Sequence, residues 1–155
     1  MNAAELHLVV NHIPLFASFF GILSTFSGYL TNNKGLLYFG LMSLMAGGIA
    51  AFIANSSGEQ AEELIEHLPG ISRKRIHAHE ETAEAALVVS SITGLFALVS
   101  TVGLVLQWQK VRLLVLITCI VALLNVASMA KTAYEGGKIM HPDLTATTAE
   151  KDNKR

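Results

Sequence analysis

The chain has 155 residues, of which 52% are hydrophobic and 15% charged, with a formal net charge of −1. That length fits one domain, and its apolar segments carry too little charge for the polar stripe of a soluble helical bundle. All twelve acidic residues fall towards one end of the expected topology, with only Lys34, Lys110 and Arg112 at the other. A basic nucleic-acid surface is thereby excluded.

A bilayer core about 30 Å thick takes about 20 apolar residues per helix. Four segments meet that length: Leu8–Leu30, Leu36–Asn55, Thr82–Leu106 and Val111–Ala130. The expected fold class is all-α, a four-transmembrane-helix up-and-down bundle spanning 1–145, with a polar tail over 146–155. The first apolar run is too long for a signal-peptide core and has no basic n-region before it, so it reads as a retained span. The single cysteine, Cys119, lies in the fourth segment and says nothing about compartment.

Segment one carries Pro14 in its first turns, where a missing amide donor costs least. Gly21 and Gly28 then give it a small-residue face. Segment two repeats the spacing with Gly40 and Gly47, which predicts a close antiparallel pair. The following connection has the form of a capping box, Ser57-Gly58-Glu59-Gln60. Behind it, Ala61, Leu64, Ile65 and Leu68 share one face and Glu59, Glu62, Glu63 and Glu66 another, up to Pro69-Gly70. This predicts a short interfacial amphipathic helix between helices two and three, lying over one end of the bundle.

Ser72 is placed to cap a third helix running from Arg73 through Leu106. Ala83, Ala85 and Ala86 come soon after His79 and would leave room for a flat group. Trp108 marks the interfacial turn. Segment four holds Asn125, an amide expected to join helices. After Lys131 the chain passes Gly136-Gly137, a flexible segment able to bring His141 back over the bundle end. No internal repeat is visible in the sequence.

Threading the spans up and down gathers all six histidines at one surface. His7 and His12 open the first span, His67 lies in the connection, His77 and His79 open the third helix, and His141 follows the fourth. Ionisable groups at membrane depth are costly and usually functional. At about 100° per residue, His7 and His12 point apart, as do His77 and His79. Each pair therefore supplies at most one ligand to a given ion. Two imidazoles from facing helices suit a six-coordinate haem b, one or two per chain. His12 and His79 are the expected axial pair, with His7 and His141 as a second pair or supporting donors. Asn11, Glu80 and Glu81 are expected to orient the ligands. No Cys-x-x-Cys-His is present, so c-type attachment is excluded. His67 and His77 read as surface residues. The alternatives are a non-haem Fe, Cu or Zn site in a transport subunit, and a structural subunit of a membrane complex.

Several pieces of sequence resemble one family. They are Leu6-His7-x-x-x-Asn11-His12-x-Pro14, Gly58-Glu59-x-Ala61-Glu62-Glu63, Leu68-Pro69-Gly70, His79-Glu80-Glu81-x-Ala83-Glu84 and Gly136-Gly137-Lys138-Ile139-x-His141-Pro142. In this order they resemble small four-helix bacterial membrane proteins related to the DUF2231-type domain, a group with no firmly assigned function. The resemblance implies a bacterial inner-membrane protein and supports His7, His12, His79 and His141 as candidate ligands. It implies a b-type cytochrome or redox-complex subunit; electron transfer by such a centre points to a quinone, a c-type cytochrome or a larger respiratory complex as partner, and the short glycine-faced spans suit a homo-oligomer. The resemblance also places the histidine end outside the cytoplasm, with both termini on that side. The raw count of basic residues, eight against three, points the other way.

Overall fold

The computed structural model describes residues 2–141. It contains α1 (Ala3–Val10), α2 (Ile13–Thr31), α3 (Lys34–Ile65), α4 (Arg73–Val105) and α5 (Val111–Met140), with no strand among the described residues. α1 and α2 together, and then α3, α4 and α5 singly, make four units long and apolar enough to cross a membrane. The result is the expected all-helical four-span bundle. α2 packs on α3, α3 on α4, α4 on α5, and α5 closes the ring against α2, while α1 lies on α3.

Polarity is arranged inside out. Ser18, Thr25, Ser90, Thr93, Ser100, Thr118 and Asn125 are buried, whereas Phe16, Phe19, Phe20, Phe39, Phe52, Leu95, Leu123 and Leu124 point outward. Water would drive those leucines and phenylalanines inward. Lipid does not, so small residues take the helix contacts and polar ones bond across them. The four apolar helices and this outward face are those of a multi-pass membrane protein.

The expected glycine pairing of the first two spans is present. A Cβ on Gly21 would meet the Leu44 side chain at 2.8 Å, one on Gly40 would collide with Oγ1 and N of Thr25, and one on Gly28 with N of Leu37. Asn125 acts as the expected interhelical amide. Its Oδ1 accepts from Ser90 Oγ at 2.7 Å and its Nδ2 donates to Ser18 Oγ at 2.9 Å, tying α2, α4 and α5 together. At the opposite end Arg112 donates to Asn32 Oδ1 and lies 4.7 Å over the Tyr29 ring, fixing the start of α5 to the end of α2.

Two connections differ from the sequence reading. The amphipathic stretch after Ser57 is helical, but it continues α3 instead of forming a separate interfacial helix. Ser57 caps nothing. It is buried inside α3 and donates to Ala54 O at 3.0 Å. No proline interrupts 36–57, so the capping-box pattern had no helix start to act on. The first span, conversely, is broken at Asn11-His12, with Pro14 buried in the first turn of α2. α4 runs unbroken from Arg73, as expected, with Ser72 at the N-cap position. At 1.5 Å per residue its 33 residues reach about 50 Å. α3, α4 and α5 therefore extend beyond their apolar spans at the histidine end.

An internal repeat absent from the sequence is present in the packing. The buried residues of α2 are Pro14, Ser18, Gly21, Thr25 and Gly28. Those 72 positions on, Ala86, Ser90, Thr93, Ala97 and Ser100, are all buried in α4. Moving 78 positions on from Leu37, Gly40, Leu41, Leu44, Gly47 and Ala51 of α3 reaches Val115, Thr118, Cys119, Ala122, Asn125 and Met129 of α5, again all buried. Each half is a helical hairpin turned by one left-handed residue, Asn32 (φ 55) or Gln107 (φ 51). The pattern is that of two parallel repeats about an axis along the membrane normal. Of these matched buried pairs only Ser18 and Ser90 are identical, which is why the repeat escapes a reading of residue types.

Candidate functional site: a histidine pair between the two halves

The repeat places one histidine of each half in equivalent positions. His79 follows His7 by the same 72 residues that relate the buried faces of α2 and α4. The two rings face one another, with centroids 6.4 Å apart and planes at 78°. Their surroundings match. His7 Nδ1 lies 3.0 Å from Ala54 O on α3, and His79 Nδ1 lies 3.0 Å from Thr132 O on α5. A carbonyl oxygen only accepts, so each Nδ1 donates and, in the neutral ring, each Nε2 keeps its lone pair. One turn beyond each carbonyl is a glycine. A Cβ on Gly58 would come within 3.1 Å of His7 Cε1, and one on Gly136 within 3.0 Å of His79 Cε1. The rings lie where a side chain would otherwise be. Ser57 Oγ adds a contact to His7 Nδ1 at 3.3 Å.

The tautomer-fixing carbonyls sit where the apolar spans end, near Asn55 of α3 and Ala130 of α5. The second hairpin is held at this level from both sides. Thr132 Oγ1 donates to Thr82 O at 2.9 Å, and Arg75 Nη1 donates to Lys138 O at 3.1 Å.

An imidazole nitrogen stands about 2.0–2.1 Å from a bound metal ion and about 1 Å from its own ring centre, so two rings on opposite sides of one ion are roughly 6 Å apart. The 6.4 Å between His7 and His79 meets that requirement. Both rings are also in the tautomer that leaves Nε2 for a metal. One turn after His7, Asn11 Oδ1 is buried without a hydrogen-bond partner. Among the described residues no three His, Cys, Asp or Glu side chains converge, so a centre here rests on two imidazoles.

The other candidates are placed differently. His12, read as the deepest ligand, is at the N-cap of α2, exposed, and stacked on Phe16 at 6.5 Å. The ring facing His79 is that of His7. The break at Asn11-His12 turns His12 outward, while His7 remains on α1 against α3. Glu80 and Glu81 contact His77 at 3.5 and 3.4 Å instead of orienting His79. His67 and His77 are exposed, as read. His141 is exposed just past α5, which runs straight through Gly136-Gly137 instead of folding back there. Pro142 and the 146–155 tail lie outside the described residues. The space foreseen around Ala86 is filled by Ala51 and Met129, with Leu15 and Leu87 packed beside them.

Four residues of the site were missed by the sequence reading. Ala54 and Thr132 act through backbone carbonyls, which no residue type announces. Gly58 and Gly136 were visible only as glycines in a turn-like context. The signal that could have found them is a glycine four residues after the carbonyl in each half, opposite a histidine.

The chain matches no family model, and no curated protein or solved structure is similar to it. Its class is defined by its own architecture: a four-span membrane bundle of two like hairpins, with a histidine pair shared between them at one end.

Proposed function

We propose that the protein is an integral membrane b-type cytochrome holding one haem between His7 and His79, close to one membrane surface. The observation that carries this reading is the pair itself: two imidazoles 6.4 Å apart, each with Nδ1 donating to a backbone carbonyl. Those carbonyls hold the rings rigidly and raise the basicity of Nε2, the role such partners have at metal sites. His7 and His79 would hold the group, and haem b would supply one-electron chemistry there. The function is therefore electron transfer to or from a partner at the membrane boundary. A single pair supports one haem per chain. The residue pieces resembling the DUF2231-type group fit a bacterial inner-membrane location with the histidine end outside.

A proton or ion path through the bundle is less favoured. The buried polar groups of the four spans are hydroxyls and one amide, with no carboxylate, lysine or histidine among the described buried residues.

The test is a reduced-minus-oxidised optical spectrum of the detergent-purified protein, with a pyridine haemochrome assay for stoichiometry. A b-type α-band is expected at one haem per chain. His7→Ala and His79→Ala should abolish it, and His12→Ala and His141→Ala should retain it. A colourless protein expressed with haem in excess overturns the reading, and metal analysis then decides whether the pair holds a bare ion.

A further inference from the structure

Eleven buried positions of the first half match buried positions of the second, so each half serves as an internal control for the outward face of the other. On the first half, α2 and α3 border an outward groove of about 580 Å³ lined in part by His12, Phe16, Phe20, Ser24, Phe39 and Ser43. His12, Phe16 and Phe20 form a ladder one turn apart, each step 6.5 Å between centroids with planes at 24°. The equivalent positions on α4, 72 residues on, are Glu84, Val88 and Ile92. Ser24 and Ser43 correspond to Phe96 and Val121. Lipid contact is thus met on the second half without a ring ladder and without hydroxyls. The aromatic groove of the first half is not a requirement of facing lipid.

Its chemistry is specific. Aromatic rings line a shallow apolar groove open to the bilayer, an imidazole lies at the end where the chain leaves the membrane, and two hydroxyls sit along its length. An apolar cleft with a few placed polar groups is the usual form of a small-molecule site. A flat ligand with ring oxygens, an apolar tail and residence in the bilayer fits all three features.

We infer that this groove binds the ring of a membrane quinone, with His12 as hydrogen-bond partner to a ring oxygen and Phe16, Phe20 and Phe39 against the ring and the first part of the tail. As the electron partner of the His7–His79 centre it rests on the cytochrome reading; as a binding site it does not.

The test uses the full chain in lipid nanodiscs and an azido-substituted decylubiquinone, with cross-links mapped by mass spectrometry. Labelling is expected in 9–24 and 39–43, displaced by unlabelled decylubiquinone and not by decanol, which has the tail without the ring. The decisive variant gives the first half the outward face of the second: His12→Glu, Phe16→Val and Phe20→Ile together. Losing two aromatic contacts and one hydrogen bond should weaken labelling by about tenfold or more, with the haem band intact as a control on folding. His7→Ala should leave labelling unchanged. Labelling elsewhere, equal displacement by decanol, or unchanged labelling of the triple variant overturns the proposal. A coloured protein that takes no quinone sinks the groove and spares the cytochrome. A colourless protein that is labelled and displaced as described does the reverse.

Discussion

At the scale of single residues, the centre depends on what is missing from two helices. Gly58 and Gly136 have no side chain where the imidazoles of His7 and His79 lie. Adding a methyl group at 3.0–3.1 Å from a ring carbon forces the ring to move, and overpacking of this kind costs about 1–3 kcal/mol. With haem held by this pair as proposed, Gly58→Ala and Gly136→Ala should therefore shift the α-band or the midpoint potential while leaving far-UV circular dichroism unchanged. A spectrum and potential identical to wild type in both variants would show that the rings are not held against these glycines. The same scale explains the misplacement of His12. Helical periodicity separates His7 from His12 but does not say which one points inward. The break at Asn11-His12 decides that: Pro14 has no N–H for the Val10 carbonyl, so α1 ends there and docks against α3.

Between elements, close approach and polar bonding share the work. A Cβ on Gly40 would collide with the backbone nitrogen and hydroxyl of Thr25, whereas one on Gly47 would stand 3.2 Å from Ser18 Oγ, which a small shift relieves. Gly40→Ala should cost more stability than Gly47→Ala, by about 1–3 kcal/mol, measured by unfolding in mixed micelles. Equal effects would count against the close α2–α3 contact. Asn125→Ala leaves Ser18 and Ser90 to re-pair and should cost about 0.6–1.7 kcal/mol, the range for hydrogen bonds between membrane helices.

Outside the apolar spans, the Glu62 carboxyl donates a hydrogen bond to Glu80, joining the projecting end of α3 to α4; that bond, burial and the like charges of Glu80 and Glu66 push Glu62 up to about 7, with His77 opposing them. A raised carboxyl pKa stabilises the fold while the shared proton is bound. That contribution is complete below the ordinary value of 4.5 and is lost as pH rises through about 7. Melting temperature in detergent should fall slightly between pH 5 and 8, and Glu80→Gln should flatten the profile. A profile that Glu80→Gln leaves unchanged would show the pair does not share a proton.

For the whole molecule, four spans put Asn2, the 66–72 connection and His141 at one end of the bundle and the two short turns at the other. In a Cys119→Ser background, single cysteines at Asn33 and Gln60 should react with an impermeant maleimide from opposite sides of intact cells and inverted vesicles. Reaction of Gln60→Cys from outside would agree with a histidine end facing away from the cytoplasm. Reaction from inside would follow the raw basic count and overturn that orientation.

The sequence by itself determined the spans, because transfer of apolar side chains into lipid depends on composition over about 20 residues and little on neighbours. It determined the glycine-lined pairing of the first two spans and the bridging amide at Asn125, because small and polar residues in such spans have few other uses. It also gathered the histidines at one end, since that follows from counting spans. Tertiary structure alone decided which two meet. Pairing His7 with His79 depends on the axis between the hairpins, on carbonyls at Ala54 and Thr132, and on space left at Gly58 and Gly136. None of these is a property of a side chain. The twofold repeat is hidden for the same reason: burial repeats at fixed offsets while residue identity does not, because lipid-embedded packing selects for size and shape and tolerates Gly, Thr, Ala or Ser at the same depth.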